Sequence, residues 1–126
     1  MSRAIMCSKE ILEKNLSDKI YIVTGTTSGI GLETVTQLAK QSATVICAAR
    51  NIDLSKTIIN NIKEETKNDK ISFLHLDLNS LQSVREFIKQ FNDKFSRLDG
   101  LVNNAGVMHT RKQKTVDGFE LQFGVN

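Results

Sequence analysis

Thr24-Gly25-Thr26-Thr27-Ser28-Gly29-Ile30-Gly31 follows the apolar run Lys19 to Val23 and precedes Leu32 to Gln41, where apolar residues recur at helical spacing. The stretch reads as strand, glycine turn, helix. Glycine at 25, 29 and 31 removes Cβ atoms where a tight turn brings backbone close to a ligand. A helix start gathers unpaired N–H groups and partial positive charge, so this unit is a ready anion site. In a chain that alternates strand and helix, the expected anion is the pyrophosphate of a dinucleotide; a purely structural turn is the competing reading. Gly31 is followed by Leu32 and Glu33 rather than Lys-Ser/Thr, which excludes a Walker-type phosphate loop. The pattern G-x-G-x-x-G is absent as well; Gly25-x-x-x-Gly29-x-Gly31 stands in its place.

Outward from the turn, Lys19 to Thr24 is β-branched and aromatic, as a central parallel strand requires. Leu32, Val35, Leu38 and Ala39 form the inward stripe of the helix that follows. Ala43 to Ala49 is a second buried strand ending at Arg50, with Asn51 and Asp53 as helix caps. Leu54, Ile58 and Ile62 predict the stripe of the next helix. Ile71 to Leu76 is a third strand, ending at Asp77. Asn79 or Ser80 caps a helix whose face is Leu81, Val84, Phe87, Ile88, Phe91 and Phe95. After the turn signal Asp99-Gly100, Leu101 and Val102 open a fourth strand that terminates in Asn103-Asn104-Ala105-Gly106. The short connections of this β-α-β-α-β-α-β order predict an α/β fold with a right-handed parallel sheet. The tail is a polar loop, His109 to Val116, and then Phe119, Leu121, Phe123 and Val125, whose alternation by itself predicts a strand.

At 126 residues the chain holds one domain at most. A net charge of +3, with Lys scattered among Asp and Glu, offers no basic stripe for nucleic acid. Cys7 and Cys47 lack metal-ligand spacing, and Cys47 falls inside an apolar strand. No apolar run approaches the ~20 residues of a membrane span. Residues 1–18 read as an N-terminal extension, not a signal peptide, with Ile5, Ile11, Leu12 and Leu16 as one weak helical face that frays or lies on the domain. A cytoplasmic setting is expected, with attachment to a membrane surface as the alternative.

Ligands of open α/β sheets bind beyond the strand ends, and four features stand there. The glycine turn is the first. Arg50 is the second: an acidic residue at that place bonds the ribose 2′-hydroxyl of NAD, whereas Arg pairs with the 2′-phosphate of NADP. A solvated strand-end charge is the alternative. Asp77-Leu78 is the third, with a carboxylate that either accepts from the exocyclic amine of adenine or caps a turn. Asn103-Asn104-Ala105-Gly106 is the fourth, where amides bond backbone and small residues admit a flat ligand, unless it is an ordinary turn. His75 and His109 have no partners for a hydrolytic triad or a metal site, and Met108 is expected to pack beside the pocket.

Taken in order and spacing, Thr24-Gly-x-x-x-Gly-Ile-Gly31, Arg50, Asp77-Leu78 and Asn103-Asn-Ala-Gly106 resemble the N-terminal signatures of short-chain dehydrogenases/reductases. The tail Val107-Met108 through Asp117-Gly-Phe-Glu-Leu-Gln-Phe-Gly-Val-Asn126 resembles the retinol-dehydrogenase and WW-domain-oxidoreductase-like branch. The resemblance covers residues 19–126. It implies a Rossmann-type, doubly wound parallel sheet, truncated after the fourth strand and the start of the following helix. It further implies that Gly25, Ser28, Gly29, Ile30 and Gly31 hold the pyrophosphate, Arg50 the 2′-phosphate, and Asp77 and Leu78 the adenine. Asn104, Ala105 and Gly106 would flank the adenosine ribose, with Asn104 supporting the fourth strand. Asn126 falls where the family has the Asn of its catalytic Asn-Ser-Tyr-Lys tetrad. The resemblance also replaces the strand reading of the tail with a helix.

The implied activity is hydride transfer between nicotinamide and a carbonyl or alcohol, with NADP(H) as cofactor and NAD as the alternative. The branch suggests a lipophilic substrate such as a retinoid or steroid. The family's Tyr-x-x-x-Lys pair is missing: the chain has one tyrosine, Tyr21, expected to be buried in the first strand, and Gly25 stands four residues on. Residues 1–126 are therefore expected not to turn over substrate. A non-catalytic nucleotide-binding or partner-binding module is the alternative, and an adenosylmethionine-dependent methyltransferase ranks below it because Arg50 stands where that class wants an acid. An unpaired edge on the fourth strand predicts association with another copy or aggregation.

Overall fold

A computed structural model describes residues 6–126 of the chain. Ile5, in the N-terminal face read from the sequence, lies outside them. Four parallel strands form one sheet: β1 (Ile20–Thr24), β2 (Thr44–Ala49), β3 (Ile71–His75) and β4 (Gly100–Val102), in the spatial order β3-β2-β1-β4. Ile22 pairs with Ile46 on one side and with Leu101 on the other, so β1 is central. The helices α2 (Gly29–Lys40), α3 (Ile52–Thr66) and α4 (Leu81–Lys94) connect successive strands.

Alternate strand residues go to opposite faces. Val23, Val45, Cys47 and Ile71 pack with Val35 and Ala39 of α2 and with Ile59 and Ile62 of α3. Ile22, Ile46, Ala48 and Leu74 pack with Phe87 and Phe91 of α4. Apolar cover on both faces explains why β1 and β2 are nearly continuous apolar runs rather than alternating ones. It is also what a doubly wound α/β sheet requires, as expected from the element order.

The helix faces differ from the sequence reading. In α3 the buried positions are Ser55, Ile59 and Ile62, while Leu54 is 45% exposed and Ile58 sits at the margin. The Asn51 side chain accepts from Leu54 N at 3.0 Å, which fixes where the helix begins. Stepping back from Ile62 and Ile59 with the helical period then lands on Ser55, so register and not hydrophobicity buries it. In α4, Phe87 and Phe91 face the sheet with Ser83, whereas Leu81 and Ile88 point outward. Val84 and Phe95 pack at the margin of that cluster. The cap is Ser80, whose hydroxyl accepts from Ser83 N. α2 begins at Gly29, three residues ahead of Leu32, so Gly29 and Gly31 belong to its first turn.

The alternation Phe119, Leu121, Phe123, Val125 does not make a strand. The Glu120 carboxylate accepts from Gln122 N and Phe123 N and starts the short helix α5 (Leu121–Val125). Only one isolated antiparallel bridge forms in that segment, between Lys114 and Glu120. The helical tail implied by the resemblance is what stands there. At the other end, a single turn, α1 (Lys9–Leu12), lies on the domain. Gln37 Nε2 donates to Leu12 O, Gln41 Nε2 donates to Ile11 O and Lys14 O, and Leu16 packs on the core. Ile11 itself is exposed. Tyr21 is half-buried rather than buried, its ring lying against Gly100, where a Cβ would come within 2.6 Å of it. Among the described residues no helix is long and apolar enough to cross a membrane.

Candidate functional site

The C-terminal ends of the four strands open into a cleft of about 570 Å³, large enough for a cofactor-sized ligand. Gly25 and Ser28 line it from the first connection, Arg50 and Asn51 from the second, Asp77, Leu78 and Asn79 from the third, and Asn104, Ala105 and Gly106 from the fourth. Four residues of the expected set do not line it: Gly29, Ile30, Gly31 and Asn126. Ile30 is 78% exposed on the outer side of the α2 first turn.

The glycines divide into two kinds. Gly25 has φ +68°, and a Cβ there would lie 2.9 Å from Ala105 Cα. A Cβ on Gly31 would overlap the Gly25 carbonyl oxygen and press on Asn104 Nδ2. At both positions it is protein that fills the space a Cβ would take, so close packing alone requires glycine there. Gly29 (φ +56°) is the open one, with nothing within 4 Å of its Cβ position. A network around Thr24 holds this packing. Asn104 Nδ2 donates to Thr24 O and Gly25 O at 3.1 Å each, and Ala105 N donates to Thr24 Oγ1 at 2.9 Å. Thr24 Oγ1 donates to Val102 O, and Gly25 N donates to Ala48 O. Asn104 thus ties the exit of β4 to the exit of β1, beyond the support for the fourth strand expected of it.

The α2 N-terminus faces this packed turn. Its N-cap, Ser28, makes no side-chain cap bond, whereas Ser8, Asn51, Ser80 and Glu120 all bond N–H groups of the helices they precede. The first-turn donors of α2 are left for another acceptor. Behind the turn, Thr26 is 2% exposed and bonds the Cys47 thiol, which burial pushes up to about 12 despite that bond. Cys47 is neutral and inert there, and Cys7 is exposed.

Arg50 is exposed and forms no ion pair among the described residues. Asp77 does cap a turn: Asn79 N donates to its Oδ1 at 2.9 Å, and its own N–H donates to Ser83 Oγ. Its place on the cleft wall leaves the adenine reading standing beside that role. Asn126 clamps the chain where it leaves the cleft, donating from Nδ2 to Val107 O at 2.9 Å and accepting at Oδ1 from Val107 N at 2.8 Å. Met108 is 76% exposed and Val107 lines the cleft instead.

The sequence reading missed Asn79, Gln113, Leu121 and Val125, which complete the far wall. It also missed Asp117, named there only within the tail that resembles the family. Asp117 Oδ2 accepts from Leu81 N at 2.8 Å, across thirty-six positions of chain. No local pattern carries that pairing.

Comparison with known proteins bears on the same residues. The family model described as short chain dehydrogenase matches residues 19–126. A human polyprenol dehydrogenase is 48% identical over 109 residues, covering 86% of this chain and 33% of the relative. Human retinol dehydrogenase 13 is 44% identical over 108 residues, with the same coverage of 86% and 33%. The chain spans about a third of the length of these curated relatives. Among solved structures, a short chain dehydrogenase from Escherichia coli CFT073 complexed with NADPH superposes with a TM-score of 0.70 at 32% identity, covering 75% of this chain and 40% of that one.

Proposed function

The chain belongs to the short-chain dehydrogenase family, and from that premise we propose that residues 19–126 are the dinucleotide-binding unit of an NADP(H)-dependent oxidoreductase, with residues 1–18 as an extension. One observation carries the reading. Of the helix starts among the described residues, the one above the glycine turn is left without a side-chain cap, beside a cleft that ends at an unpaired arginine. The residues fit the group: Ser28, Gly29 and Ile30 offer N–H donors to a pyrophosphate over the open Gly29. Gly25 and Gly31 keep the turn packed beneath it. Arg50 meets a 2′-phosphate, and Asp77 and Leu78 meet the adenine edge. Ala105 and Gly106 give the ribose a close approach, with Asn104 holding them in place.

The bound dinucleotide supplies or takes up the hydride; these residues bind and orient it. We assign Asn126, at the family's tetrad position, the holding of Val107 at the cleft mouth. The partner in turnover is a carbonyl or alcohol, of lipophilic type by analogy with the polyprenol and retinol dehydrogenases. Tyr21, with its ring against Gly100 and no lysine four residues on, does not serve as proton donor. Residues 1–126 therefore bind the cofactor without turnover.

Calorimetric titration tests the reading. NADPH should bind more tightly than NADH, and adenosylmethionine should not bind. Arg50→Ala should cut the NADPH preference about 10- to 100-fold, the worth of a charge-assisted pair. Equal affinity of wild type for NADPH and NADH would remove Arg50 from its role. Absence of binding to either would remove the function.

A further inference from the structure

The segment 107–120 leaves the sheet at β4, on one edge, and is fastened at the opposite edge, where β3 passes into α4. Two bonds make the fastening: Asp117 Oδ2 accepts from Leu81 N at 2.8 Å, and Val116 N donates to Asn79 O at 3.1 Å. Between those edges stand the ends of β1 and β2, with Gly25 and Arg50. The segment is thus a strap across the end of the sheet on which the cleft opens.

α4 does not need Asp117 in order to begin. Ser80 already caps it through Ser83 N, and Ser83 Oγ in turn takes the Asp77 N–H. The Asp117 carboxylate takes a second orphan donor of the first turn, Leu81 N, which Ser80 does not reach. Its added effect is to join the strap to the wall that carries Leu78 and Asn79. Supporting groups of this kind set how closely a wall keeps its spacing to a ligand.

We propose that Asp117 is a positioning residue for the adenine side of the cleft. By holding the α4 first turn to the strap it fixes Leu78 and Asn79, and so sets affinity for the adenosine half of the dinucleotide without touching it. The inference rests on the dinucleotide reading above.

The test uses the protein at its natural length and two probes, adenosine 2′,5′-bisphosphate by calorimetry and nicotinamide mononucleotide by ligand-observed NMR. Asp117→Ala should weaken the bisphosphate about tenfold, the effect of losing one charged acceptor, and leave the mononucleotide unchanged. Asp117→Asn keeps an oxygen that accepts from Leu81 N and should restore most of the affinity. Asp117→Glu keeps the charge, displaces the acceptor by one methylene, and should lose several-fold for the bisphosphate alone. An unchanged bisphosphate affinity in folded Asp117→Ala or in Asp117→Glu overturns the inference. So does an equal loss for both probes that Asp117→Asn does not repair. A wild type that ignores the bisphosphate overturns the dinucleotide reading itself.

Discussion

α4 and α2 both begin beside the cleft, yet α4 fills its own N-terminus while α2 leaves its donors open. At α4, Ser80 accepts from Ser83 N and Asp117 accepts from Leu81 N. At α2, Ser28 contributes no cap bond, and Gly29 keeps the approach clear. Orphan N–H groups at a helix start must find acceptors somewhere. Where the chain supplies them the helix end becomes a wall; where it does not, the end is the one proposed above to receive the dinucleotide's pyrophosphate. The difference lies in side-chain chemistry, since both helices follow a parallel strand in the same topology.

The largest expected effect that would break this contrast is at Gly31. Gly31→Ala drives a methyl into the Gly25 carbonyl and the Asn104 amide, and should cost about 3 kcal/mol or more in chemical denaturation. A stability within 1 kcal/mol of wild type would show that the turn is not packed as described. A second comparison is between the two caps. Ser80→Ala should cost about 1 kcal/mol, whereas Ser28→Ala should cost only a few tenths and act on dinucleotide binding instead. Equal stability losses for the two would erase the distinction between wall and open end.

A smaller effect comes from the sealed back of the turn. The Cys47 thiol is pushed above its ordinary 9.0 to about 12 by burial, so the folded state favours the neutral thiol. That contribution is complete below about pH 9 and is lost as pH rises toward 12. Cys47→Ala should flatten this part of the alkaline stability curve. At neutral pH a thiol reagent should label exposed Cys7 at once and Cys47 only on unfolding. Rapid labelling of Cys47 in the native state would mean that the turn opens from behind.

Much of the fold was legible because it is written in local signals. Ile20 to Val23 and Val45 to Ala49 carry no charge, as strands buried on both faces must, and the glycine turn marks the exit of the first. What escaped reading depends on register or on distance. Ser55 displaced Leu54 from the core because the helical period is counted from Ile59 and Ile62. The alternation from Phe119 to Val125 misleads when read alone; the Glu120 carboxylate starts the helix there that the family resemblance implied. At the site, Arg50, Asp77 and Asn104 stand where strands end and could be named from that rule alone. The rule could not say that Gly25 is crowded by Ala105 and Asn104, since those contacts join segments about eighty residues apart. Asp117 was out of reach for the same reason.

The clasp between Asn126 and Val107 closes nineteen residues of chain onto their own starting point. Loop-closure entropy is therefore spent during folding and not when a ligand arrives. An incoming dinucleotide meets a border already set, so its capture should follow a single exponential whose rate rises linearly with concentration, without the plateau that a slow ordering step would impose.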